Sequence, residues 1–152
     1  MTIDGAQTAV DDGQVRDLSR LTSVIDWAAG KGATEELLVD RFGWERVGRR
    51  SLRLPAGVLA TVLRTAGTTF GITVWHTSWK VDHPKLRDLS FQGAEHLRDL
   101  VTALLGSDPQ IGELETGQGH VWDRADGSRV WLNDESLRFL SPESSTQRYG
   151  NV

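Results

Sequence analysis

Leu18, Leu21, Val24, Ile25 and Ala28 recur at three- and four-residue intervals, which predicts a helix stopped by Gly30-Lys31-Gly32. Thr34-Glu35-Glu36 suits the cap of a second short helix that carries Leu37 and Leu38 and ends at Gly43. Residues 47–54, VGRRSLRL, fit either a third helix or a strand. Pro55 then suits the first turn of a helix bearing Val58, Leu59, Val62, Leu63 and Ala66, with Gly67 as its stop. Residues 69–79, TFGITVWHTSW, alternate and are rich in β-branched and aromatic types, which predicts a strand. Over 91–105, Leu97, Leu100, Val101, Leu104 and Leu105 mark the clearest amphipathic helix.

Two further elements follow. Residues 119–133 alternate on either side of Asp126-Gly127, a pair that suits a two-residue hairpin turn. That register sets Trp122 opposite Trp131, Val121 opposite Leu132, and Arg124 opposite Arg129. Asn133-Asp134-Glu135 reads as the cap of a last short helix ending near Leu140. The expected fold is α+β: N-terminal helices, then a small, mainly antiparallel sheet with a C-terminal β-hairpin, packed against one long amphipathic helix. One domain is expected over 15–140, its first part (15–53) helical, with polar, flexible ends at 1–14 and 141–152.

Composition narrows the function classes. The chain has 152 residues, 38% hydrophobic and 25% charged, the balance of one soluble globular domain. There is no cysteine, which removes disulfides, thiolate metal sites and cysteine nucleophiles. The start of the chain has neither the basic residues nor the apolar stretch of a secretory signal, and no apolar run suits a membrane span. A cytoplasmic location and no membrane partner are therefore expected. The net charge is −4, but residues 41–64 carry six arginines against one glutamate. Arg41, Arg46, Arg49, Arg50, Arg53 and Arg64 thus form a local basic cluster in an acidic chain, suited to an anion or to an acidic protein face.

Residues 18–53, LSRLTSVIDWAAGKGATEELLVDRFGWERVGRRSLR, resemble the helix-turn-helix segment of DNA-binding regulators. Leu38, Phe42, Gly43 and Leu52 match its apolar positions and turn. Val39 and Arg49 stand where the motif carries a very small and an apolar residue. The resemblance implies a second helix over 44–52 that would bring Arg46, Arg49 and Arg50 to the major groove, with Arg53 nearby, as nucleic-acid contacts.

The six tryptophans suggest another use. On strand 69–79, Phe70, Ile72 and Val74 share one face, and Thr73, Trp75, Thr77 and Trp79 the other. On the hairpin, Trp122 and Trp131 share a face with Arg124 and Arg129. Tryptophan and arginine dominate binding hot spots, so Trp75, Trp79, Trp122, Trp131, Arg124 and Arg129 are the candidate partner-binding residues; burial under a second helical layer is the competing reading. His76, His83, His96 and His120 are the only histidines and form no zinc-protease spacing. There is no G-x-S-x-G, no P-loop and no Rossmann fingerprint, so no catalytic residue, metal ligand or cofactor is assigned. The expectation is a non-catalytic macromolecule-binding protein of the immunity, antitoxin or adaptor kind holding a protein partner. A helix-turn-helix regulator with an α/β effector or dimerisation half is the alternative, and a small metal- or histidine-dependent enzyme the third reading.

Overall fold

The computed structural model describes residues 2–3, 6–7, 12–49, 51–54, 58–65, 68–75, 84–114 and 117–142. These form three helices and an eight-stranded antiparallel sheet, an α+β chain, besides a two-stranded ladder of β1 (Thr2–Ile3) and β2 (Ala6–Gln7).

Helix α1 spans Asp12–Thr22, further toward the N-terminus than the period of its apolar residues suggests. Hydroxyls end it. Thr22 Oγ1 donates to the Leu18 carbonyl at 2.7 Å and Ser23 Oγ to the Arg20 carbonyl at 2.6 Å, taking acceptors that a continuing helix would use. The Asp26 carboxylate then accepts from the Ala28 N–H and bends the chain away. Val24, expected on the buried stripe, is left 77% exposed. Helix α2 spans Lys31–Phe42 and stops at Gly43, whose φ of 69° is left-handed and whose N–H reaches the Val39 carbonyl.

The segment after α2 is a hairpin, β3 (Glu45–Val47) and β4 (Ser51–Arg53), with Gly48 at φ 65° in its turn. Among the described residues of 44–52 there is no recognition helix, so the helix-turn-helix reading of that segment is corrected. The alternation of Leu52 and Leu54, both buried, with exposed Arg53 decides for the strand, because β4 has a partner. That partner corrects a second expectation. Residues 59–65 are β5 (Leu59–Thr65), not a helix launched at Pro55. VLATVLR satisfies both periods; as a strand it buries Val58, Ala60 and Val62 on one side.

Strand β6 (Thr68–Trp75) pairs with β5, with a register shift at Leu63/Arg64. Helix α3 runs Pro84–Leu105 and ends at Gly106, φ 73°. Strands β7 (Gln110–Leu114), β8 (Gly117–Asp123), β9 (Arg129–Leu132) and β10 (Ser136–Leu140) follow as a meander. β10 replaces the expected last helix. Asn133 Oδ1 does accept backbone N–H groups, from Glu135 at 2.9 Å and Ser136 at 2.7 Å, but it closes a tight turn between β9 and β10. The sheet order is β3-β4-β5-β6-β10-β9-β8-β7, so two sequential four-stranded meanders join at β6–β10.

The β8–β9 register differs from the two-residue turn by one residue. Val121 faces Trp131, Trp122 faces Val130, and Asp123 faces Arg129. The Arg124 N–H bonds the Ser128 carbonyl and the Gly127 N–H the Arg124 carbonyl, with Gly127 at φ 89°. This is a three-residue loop with glycine in the bulge position, and the Asp126 carboxylate fastens it by accepting from the Ser128 N–H and hydroxyl. A slip of one residue turns side chains to the opposite face, so the two tryptophans part company. Trp122 joins the main core with Val130, Leu132, Leu137 and Phe139, under Val15 and Leu18 of α1, Leu38 of α2, and Leu97 and Val101 of α3. Trp131 joins a small cluster on the other face with Val121, Leu140 and Leu63.

Candidate functional site

The non-helical face of the sheet carries a row of side chains set by the ladder partners Thr61, Thr73, Arg138, Trp131 and Val121. Trp75 lies diagonally beside Arg138, because Ser136 is its direct partner. The Arg138 guanidinium sits 4.8 Å from the Trp131 ring centre and 5.8 Å from that of Trp75, so two indoles bracket one cation. Among the described residues no carboxylate pairs with Arg138. Its Nε and the neighbouring Thr73 Oγ1 are both buried without a hydrogen-bond partner there.

The expected binding residues distribute unevenly around this row. Trp75 and Trp131 belong to it, although Trp131 is only 1% exposed and contributes by holding Arg138 rather than by meeting solvent. Trp122 does not: it is 1% exposed on the opposite, helix-covered side. Arg124 is also turned away, its Nη1 donating to Thr22 Oγ1 at 2.7 Å and Nη2 to the Ser19 carbonyl at 2.5 Å. It clamps the C-terminal turn of α1, where a cation complements the helix dipole. Burial lowers its pKa, and Asp126 offsets part of that. Arg129 lies on the open face and donates to Asp123 Oδ1 at 2.6 Å. Trp79 lies outside the described residues.

Arg138 was missed because 134–140 reads as a capped helix. The alternation of SLRFL was the available signal: it puts Leu137 and Phe139 on one face and Arg138 on the other.

The arginine cluster is dispersed by the β3–β4 hairpin. Arg46 pairs with Glu35 at 3.3 Å and Arg53 approaches Glu45 at 4.0 Å, while Arg49 is exposed at the turn. Arg50 lies outside the described residues. Among the described residues no three His, Asp or Glu side chains converge as a metal site. His76 and His83 lie outside the described residues, and His96 meets Asp12 at 2.8 Å on the surface.

His120 is differently placed. It lines a cleft of about 540 Å³ with Ala94, Glu95 and Arg98 of α3, Ile111 of β7, Gly119 of β8, and Leu132, Asn133 and Asp134 around the β9–β10 turn. Burial, and then the charge of Arg98, lowers its pKa. Above pH 6.5, its ordinary value, folded and unfolded forms are both neutral there. Below it the unfolded chain takes up a proton first, so stability falls as pH drops from 6.5 toward the lowered value. The denaturant midpoint of the parent should therefore fall between about pH 7.5 and 5.5, and less so in His120→Gln. An equal fall in both proteins would refute this assignment.

The chain has no match among protein-family models, curated proteins or solved structures. Among the described residues no helix is long and apolar enough to cross a membrane.

Proposed function

We propose that the chain is a non-catalytic binding protein, of the immunity, antitoxin or adaptor kind, that holds an acidic protein partner in the cytoplasm through the open sheet face around Trp75 and Arg138. The observation that carries this reading is the bracketed guanidinium. Arg138 is oriented by two indoles, so little side-chain entropy remains to be lost when a carboxylate arrives, and no carboxylate among the described residues competes for it. Arg53 and Arg129 open onto the same face but pair there with Glu45 and Asp123, so Arg138 is the arginine of these three that is left for a partner's carboxylate. An arginine stacked on tryptophan is also the composition of a binding hot spot. The regulator reading has lost the helix on which it depended, and no observation favours it.

The test is a pull-down from the native lysate without nuclease, comparing the parent with Arg138→Gln, Trp75→Ala and Arg49→Gln, followed by titration of the captured partner. One near-stoichiometric protein should be retained by the parent and by Arg49→Gln. Its affinity should fall about 30-fold for Arg138→Gln, as expected of a hot spot of about 2 kcal/mol. Capture that ignores Arg138 and Trp75, or nucleic acid whose retention follows Arg49, overturns the proposal.

A further inference from the structure

The cleft between α3 and strands β7–β9 lies on the helix-bearing side of the sheet, away from Arg138, and the proposed partner leaves it unused. Its volume of about 540 Å³ falls in the range of small-molecule sites. Three features give it a chemistry. Its apolar part is Ala94 and Ile111, above the fully buried Leu132, and Ile111 is 68% exposed, one of two large hydrophobic side chains so exposed among the described residues. Its cation is Arg98, whose contact among these residues is with its sequence neighbour Asp99 at 3.4 Å, a pairing on the exposed helix surface that a ligand displaces at little cost. Its third feature is His120, whose Nδ1 is buried in the wall without a partner. An N–H there would be stranded, so the proton belongs on Nε2, the nitrogen left to face a ligand.

Arg98 and His120 therefore offer donors to an oxyanion. Glu95, on the same turn of α3 as Arg98, and Asp134, on the β9–β10 turn, supply the opposite charge. A wall that carries both signs and an apolar strip disfavours a multiply charged anion. We propose that this cleft binds a small amphipathic zwitterion of the amino-acid class, its carboxylate held by Arg98 and His120 Nε2–H, its ammonium by Glu95, and its aliphatic side chain against Ile111 and Ala94.

The test is calorimetric titration of the full chain with L-leucine, 4-methylpentanoate, which lacks the amine, and isoamylamine, which lacks the carboxylate. L-leucine should bind with a Kd near or below about 1 mM, a modest efficiency for so small a ligand, and each truncated analogue about tenfold more weakly. Arg98→Gln should lower leucine affinity about tenfold, and Arg98→Lys less, since it keeps the charge but loses the fork. Glu95→Gln should weaken leucine but leave 4-methylpentanoate unchanged. No heat with leucine at 10 mM (about ten times the expected Kd), or leucine and 4-methylpentanoate binding alike, overturns the proposal. So does an Arg98→Gln protein, folded by far-UV circular dichroism, that binds leucine as the parent does.

Discussion

Replacing Trp122 with alanine should lower folding stability by about 3–5 kcal/mol, a large share of the roughly 5–15 kcal/mol that holds a domain of ordinary stability. The indole is 1% exposed and belongs to the cluster that joins all three helices to the sheet, so its loss opens a void between layers. Trp122→Phe should cost distinctly less. It keeps most of the apolar area and removes an indole N–H that is buried without a hydrogen-bond partner among the described residues. Urea denaturation of the three proteins checks this, and a Trp122→Ala midpoint within error of the parent would remove Trp122 from the core.

Gly71→Ala should be the second most damaging of these changes, although it adds only one methyl group. A Cβ at this position would stand 2.8 Å from the Phe139 carbonyl oxygen and 2.9 Å from Leu140 Cδ2. The first of these atoms is backbone in the central strand β10, so relief requires β6 and β10 to part where they are hydrogen-bonded. A cost of about 1–3 kcal/mol is expected. Gly32 is the control. It lies in the first turn of α2, and a methyl group added there would meet nothing within 4 Å, so Gly32→Ala should be neutral or stabilise by up to about 1 kcal/mol. Thermal melts that move the same way for both variants would refute the close-approach argument.

The contrast between these glycines also shows what was legible in the sequence. The stop of α2 at Gly43, the strand leading to Trp75 and the helix ending at Leu105 could be read because a strong period and a clear stop agreed locally. Residues 59–65 and 136–140 could not. Each carries a pattern that a helix accepts, and the choice was made by pairing with other strands, β4 and β6 for the first, β6 and β9 for the second. The hairpin at 119–133 was recognised, but its register hung on whether Gly127 fills a two-residue turn or a bulge. That single position decided that Trp122 lies on the opposite face from Trp131 and Arg138. The candidate site was thus half visible: Trp75 and Trp131 were named, while Arg138 was hidden in a segment read as helix.

The sheet order bears on how the chain reaches this structure. Within β3 to β6 and within β7 to β10, each strand pairs with its predecessor, contacts that form quickly because little chain must be ordered to make them. The seam between the halves is different: Trp75 and Ser136 meet across about sixty residues, and closing a loop of that length costs on the order of 4 kcal/mol before any contact repays it. Joining β6 to β10 is therefore the slow, entropy-limited event. Until it occurs both strands expose unpaired edges, and in that interval the chain is most open to pairing with another copy of itself.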